Sequence, residues 1–199
     1  MDLRKTLTIF TESTLALAVV YSSYSIFILR DFDVIGENHL LEILQALTLL
    51  AVLAVYMWSV FQSHRSDRLL CLFFVWLTVT FFLRELSMDG LNPPDFIVKW
   101  GSGSGRNMLL AASLLAITIL VFIRLGFYLD LAKVFLRSES GIMTLKSGVL
   151  LILGDICEKA MFANNVFFEE VFELIAYAVL LRAATLLAYK PIYTGQASL

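Results

Sequence analysis

Long apolar runs broken by short polar segments dominate this chain of 199 residues. A transmembrane helix needs about 20 consecutive, mostly apolar residues to cross the hydrocarbon core of a bilayer. Six segments fit this requirement, and they lie at about 7–29, 40–62, 69–88, 107–128, 147–163 and 166–189. The pattern predicts one all-α domain, residues 1–199, built as a polytopic bundle of six transmembrane helices.

The fifth of these segments, 147–163, is the weakest because it is short and contains three charged residues. If it lay partly across the membrane interface, the chain would have five spans. The segment before it, 129–146, is amphipathic, which is typical of a helix that lies along a membrane surface.

The composition also favours a lipid environment. Hydrophobic residues make up 59% and charged residues 16% of the chain, against roughly 45–50% and 25% in soluble domains. A soluble domain of this size could not hide so much apolar surface from water. The net charge of −2 gives no basic footprint for nucleic acid, and no Gly-Lys-Ser/Thr nucleotide motif is present. We expect the lipid bilayer, in a plasma membrane or a bacterial inner membrane, as the principal partner.

The distribution of Lys and Arg predicts the orientation, because cytoplasmic segments of membrane proteins are enriched in these residues. With the N-terminus inside, the inner segments contain Arg4, Lys5, Arg65, Arg68, Arg124, Lys133, Arg137, Lys146 and Lys190. The outer segments contain only Arg30, Lys99 and Arg106. Both termini are therefore predicted to be cytoplasmic.

On this topology, ionisable residues of four helices fall at the same depth, in the outer half of the bundle. The carboxylates are Glu42, Glu85, Asp155, Glu158, Glu169, Glu170 and Glu173, with Arg84 and Lys159 as the basic residues among them. Residues three or four apart share a helix face, so the acidic residues of each helix could point into one cavity. Gln45, Tyr24 and Tyr177 are the polar side chains that we expect to line it. An excess of negative charge in a low-dielectric site requires protonated carboxyls, a bound cation or water.

Two further residues suggest more specific chemistry. His39 precedes Glu42 by three residues and could join the carboxylates in holding a divalent metal ion, since imidazole and oxygen ligands suit such metals. Arg106 follows the run Gly101-Ser102-Gly103-Ser104-Gly105, which is either a flexible loop or a contact for a lipid phosphate headgroup.

Three functions fit these residues. The first is a membrane protein that binds or conducts a cation or protons, with the carboxylates as ligands or relays and Arg84 and Lys159 as the groups that tune their pKa values. The second is a metal-assisted enzyme that acts on a lipid or lipid-linked substrate, in which the metal activates water. The third is a non-catalytic subunit or assembly factor whose charges pair with other membrane subunits. No catalytic residue can be assigned from the sequence.

Overall fold

A computed structural model of the chain describes residues 13, 16–17, 19–21, 23–29, 40–62, 67–85, 103–159, 164–190 and 192. Within these residues the protein has seven helices and no strand. They are a π-helical segment Ser25–Leu29, α1 Leu40–Phe61, α2 Arg68–Glu85, α3 Gly103–Ile123, α4 Leu125–Arg137, α5 Glu139–Lys159 and α6 Asn165–Tyr189. The predicted all-α class is confirmed for this part of the chain.

Four of these helices are long and apolar enough to cross a membrane. Their candidate spans are Leu41–Phe61, Gly105–Ile123, Glu139–Lys159 and Asn165–Tyr189. Helix α2 has 18 residues but contains Arg68, Arg84 and Glu85 at its ends. The predicted first span, 7–29, is described only at residues 13, 16–17, 19–21 and 23–29.

Successive long helices run in opposite directions. The side chain of Trp76 in α2 donates to the carbonyl of Leu110 in α3, and Arg106 of α3 donates back to Leu83, which makes these helices antiparallel. Helices α1 and α6 are parallel, because their early residues Gln45 and Glu170 are hydrogen-bonded and their late residues Trp58 and Tyr189 are in ring contact. One end of the bundle therefore collects the beginnings of α1, α3 and α6 and the ends of α2 and α5. We call it the charged end, because most of the predicted carboxylates lie there.

Helix α5 begins at Glu139, eight residues before the predicted span 147–163, and ends at Lys159. Hydropathy delays the predicted start, since Glu139, Ser140 and Lys146 make the first turns polar. These turns are nevertheless helical and pack closely against α6. The hydroxyl of Ser140 donates to the carbonyl of Ala183 at 2.8 Å, and that of Ser147 donates to Ala176 at 2.8 Å.

The helices α3 and α4 also differ in their bounds from the predicted span 107–128 and the predicted surface segment 129–146. Helix α3 already begins at Gly103, so the end of the Gly-Ser run is its first turn. It ends at Ile123, and α4 follows as a separate amphipathic helix with Leu131 and Phe135 buried. Ser138 is extended and separates α4 from α5. The amphipathic element is therefore Leu125–Arg137.

A hydrophobic core joins α1, α2, α4 and α6 at the end of the bundle opposite the charged end. Tyr56 and Phe74 are stacked with ring centroids 5.1 Å apart, and Phe135 of α4 lies 5.3 Å from Phe74. Leu180, Ala184 and Leu187 of α6 complete this core. Helix α6 thus lies between α5 and α1, and its first turns project beyond this core to the charged end.

Candidate functional site

Among the described carboxylates of the charged end, Glu173 is the most deeply buried. It lies eight residues after the start of α6, which is about 12 Å along the helix axis. Its side chain is 3% exposed and forms an ion pair with Arg84, the penultimate residue of α2, whose side chain is 50% exposed. Arg84 thus reaches inward from the end of its helix to a carboxylate that is buried.

Gln45 makes a second polar contact one turn nearer the start of α6. The side chain of Gln45 is fully buried in α1. Its Nε2 donates to the Glu170 carboxylate at 2.7 Å and to the Glu170 backbone carbonyl at 3.0 Å. Glu170 and Glu173 are three residues apart on one helix face. Gln45, Arg84, Glu170 and Glu173 therefore form a polar group between three helices, which we call the inner site.

Small and aromatic residues pack beside the inner site. A Cβ atom added to Gly154 of α5 would lie 3.3 Å from Cγ of Glu173, so this glycine lets α5 approach the carboxylate side chain closely. Tyr177, the next turn of α6, is buried, and its ring centroid is 6.0 Å from that of Phe81 in α2. Helix α5 thus contributes close packing rather than charge to this site.

The acidic residues of α5 do not join the inner site. Asp155 and Lys159 form the expected i,i+4 pair, with Nζ 2.7 Å from a carboxylate oxygen, but their side chains are 53% and 69% exposed. Glu158 is exposed as well, and its backbone carbonyl accepts a hydrogen bond from Asn165. Three helices rather than four therefore supply the inner polar groups.

The remaining candidates are more peripheral or lie outside the described part. Glu42 and Glu169 are half-buried, and Tyr24 is exposed. Arg106 donates to the carbonyl of Leu83, which ties the first turn of α3 to the last turns of α2. Glu85 is in α2, but its side chain lies outside the described residues, as does the whole of His39.

The inner site places ionisable groups between helices. Glu170, Glu173 and Arg84 are its charged residues, and the side chain of Glu173 is buried. A charge at the centre of a membrane helix costs about 2.5–3.5 kcal/mol on insertion scales, and less near the interface. The ion pair with Arg84 offsets part of this cost for Glu173.

Within the described residues, no three His, Cys, Asp or Glu side chains gather as ligands for a metal ion.

Comparisons with protein-family models, with curated proteins and with solved structures find no match. The chemistry of the inner site is therefore the basis for assigning a function.

Sequence reasoning missed the contribution of Gly154. The signal was present, because Ser140, Ser147 and Gly154 are spaced seven residues apart, and small residues at this spacing form one face of a closely packed helix. That face is the one that α5 turns toward α6.

Proposed function

We propose that the protein is a membrane protein that binds or conducts a cation or protons through the inner site. The observation that carries this proposal is the burial of Glu173, paired with Arg84, beside the buried contact between Gln45 and Glu170. Ionisable side chains within transmembrane helices are costly, and they typically mark ion or proton pathways. The functional residues are then Glu170 and Glu173 as the titrating or ligating groups, and Arg84 as the group that tunes them.

We further propose six membrane spans with both termini in the cytoplasm. Helices α1 and α3 both start at the charged end, so the chain between them must return through α2, which supports counting α2 as a span. The first predicted span, 7–29, would end at the charged end, since Ile26 packs against Leu41 and Phe167. The bias of Lys and Arg then assigns the charged end to the outer side.

Flux in proteoliposomes tests the function. Purified protein is reconstituted in liposomes with an internal pH-sensitive dye, and flux is followed after an imposed proton or Na⁺ gradient. We expect Glu170→Gln and Glu173→Gln to reduce the flux of the wild-type chain by at least tenfold. Asp155→Asn is the matched control, because it removes a carboxylate of the charged end that is exposed, and it should retain wild-type flux.

Flux that persists in both Gln variants would contradict the proposal. A wild-type chain that neither conducts nor binds protons or cations, and that copurifies with a stoichiometric membrane subunit, would favour the role of a non-catalytic subunit instead. Hydrolysis of a lipid substrate that depends on added metal would favour the enzyme.

Cysteine labelling tests the topology. In a background with Cys71→Ala and Cys157→Ser, single cysteines are placed at Glu158, on the exposed part of the charged end, and at Arg137, at the end of α4. A membrane-impermeant maleimide applied to intact cells should label the cysteine at 158 and not the one at 137. The reverse pattern would overturn the proposed orientation.

A further inference from the structure

The hydroxyl group of Tyr56 is buried without a hydrogen bond. Tyr56 belongs to α1 and to the hydrophobic core, and its side chain is fully buried. Within the described part of the chain, no group donates to its hydroxyl oxygen or accepts from it. A buried polar group without a partner costs free energy, because it loses its hydrogen bonds to water and gains none in return. Such groups are rare in native proteins, and they often bind internal water or act in the function of the protein.

Two polar side chains of neighbouring helices lie beside this hydroxyl group. They are Thr144 of α5 and Cys71 of α2. Thr144 is close to Tyr56 but is not placed for a direct hydrogen bond, and its hydroxyl donates to the carbonyl of Ser140 at 3.0 Å. A hydroxyl oxygen that donates in this way can still accept hydrogen bonds. One water molecule bonded to both hydroxyl groups therefore satisfies Tyr56.

This pair of hydroxyl groups lies further into the bundle than the inner site. On α6, Glu173 is followed one turn later by the buried Tyr177, about 6 Å along the helix axis. Thr144 lies level with the turn of α6 that follows Tyr177, because it comes between the two serines of α5 that bond Ala176 and Ala183. Buried side chains with hydroxyl groups therefore continue from the inner site toward the opposite end of the bundle.

We propose that Tyr56 passes protons between the inner site and the opposite end of the bundle, through one water molecule bound between its hydroxyl group and that of Thr144. This inference rests on the proposed function and names the proton as the species that the protein conducts. In each transfer the phenol oxygen receives a proton from one side as its own O–H proton leaves to the other side. The water molecule takes up one proton and releases another in the same way, so both groups end neutral.

The surroundings of Tyr56 suit a proton rather than a metal cation. The ring of Tyr56 is stacked on that of Phe74, with centroids 5.1 Å apart, and Phe135 packs against Phe74. A metal cation that entered this aromatic core would need several oxygen ligands in place of its hydration shell. A proton needs only groups that both donate and accept hydrogen bonds, and a hydroxyl group and a water molecule do both.

Tyr56→Phe tests this inference, because it removes the hydroxyl group and keeps the ring that stacks on Phe74. Proton flux of the full chain in liposomes, driven by an imposed pH gradient, should fall at least tenfold. The midpoint temperature of unfolding should change little, since no hydrogen bond between described residues is lost. Tyr189→Phe is the matched control, because Tyr189 is exposed at the same end of the bundle and its variant should retain wild-type flux. Wild-type flux in Tyr56→Phe would overturn the inference.

Thr144 provides a second test, which leaves the aromatic core intact and decides the case if Tyr56→Phe does not fold. Thr144→Val removes the hydroxyl group at nearly constant volume, so proton flux should again fall at least tenfold. Thr144→Ser keeps a hydroxyl group at this position and should retain most of the flux. Equal flux in the two variants would overturn the proposed role of the Thr144 hydroxyl group and of the water molecule that it holds.

Failure of this inference can be separated from failure of the proposed function. If Glu170→Gln and Glu173→Gln abolish flux while Tyr56→Phe does not reduce it, the inference is overturned and the proposed function stands. A wild-type chain that conducts Na⁺ and no protons would have the same meaning. A wild-type chain that neither binds nor conducts Na⁺ or protons would overturn both.

Discussion

Arg84 and Glu173 form an ion pair between a half-exposed and a buried side chain. Arg84 lies at the end of α2, and Glu173 lies two turns inside α6. Because of this difference in exposure, the loss of either partner should change the stability of the protein by a different amount. Without Arg84, the carboxylate of Glu173 stays buried, whereas without Glu173, the guanidinium of Arg84 can still contact solvent.

Arg84→Met should destabilise the protein strongly, by about 3 kcal/mol, since removing one partner of a buried pair takes the guanidinium away from a carboxylate that stays buried. We take the lower end of the usual range because Arg84 is half-exposed. The double variant Arg84→Met/Glu173→Leu should recover most of the loss. Unfolding of the purified chain in detergent measures both effects.

Lys159→Met is the matched control for that experiment. It breaks the exposed pair with Asp155, and exposed pairs contribute little to stability. If Lys159→Met and Arg84→Met lowered the free energy of unfolding equally, the burial of Glu173 would not explain the cost of losing Arg84.

Gly154 should be coupled energetically to Glu173. In the background Glu173→Ala, Gly154→Ala should stabilise α5 by about 0.5–1 kcal/mol, the usual gain for alanine over glycine within a helix. In the wild-type background the added methyl group meets Cγ of Glu173 at 3.3 Å, so the gain should be smaller or lost. A double-mutant cycle on unfolding free energies measures the coupling, which we expect to exceed 0.5 kcal/mol, the order at which contacting residues depart from additivity. Additive effects would mean that the glycine does not position the carboxylate.

The sequence indicates which end of each helix carries the charged residues, whereas it does not indicate the faces on which they lie. Hydropathy fixes where an apolar stretch begins and ends, and Glu42, Arg84, Asp155 and Glu173 all lie at the charged end of the bundle. Which way a side chain points depends on the rotation of its helix about its own axis. On α5, the small face Ser140–Ser147–Gly154 packs against α6, and this packing turns Asp155 and Lys159 outward.

The helix bounds were missed where polar residues lie inside helices. The first turns of α5 are helical although they contain Glu139 and Lys146, and the first turn of α3 is helical although it is Gly-Ser rich. A hydropathy window averages over such residues, while packing and main-chain hydrogen bonds decide the helix itself.

Ser147→Ala should cost about 0.6 kcal/mol, the average for hydrogen bonds between membrane helices. The lost bond is the one from the buried hydroxyl to the carbonyl of Ala176. Ser113→Ala in α3 is the control, because the exposed hydroxyl of Ser113 bonds only carbonyls of its own helix. In nanodiscs, the midpoint temperature of thermal unfolding should be lower for Ser147→Ala than for Ser113→Ala. The reverse order would contradict a role for Ser147 in joining α5 to α6.

Gly141 should tolerate no side chain at the corner between α4 and α5. A Cβ atom at this position would overlap the carbonyl oxygen of Phe135 and lie 2.9 Å from Cα of Leu136, so the backbone of α4 would have to move. Phe135 is also part of the hydrophobic core with Phe74, and moving α4 would therefore loosen that core. We expect Gly141→Ala to lower the free energy of unfolding by about 1–3 kcal/mol, the usual cost of overpacking. Gly148→Ala, seven residues further along the same helix, meets nothing within 4 Å and should be neutral or stabilising. Since both variants add the same methyl group to α5, equal stability of the two would show that the close approach of Phe135 does not require a glycine.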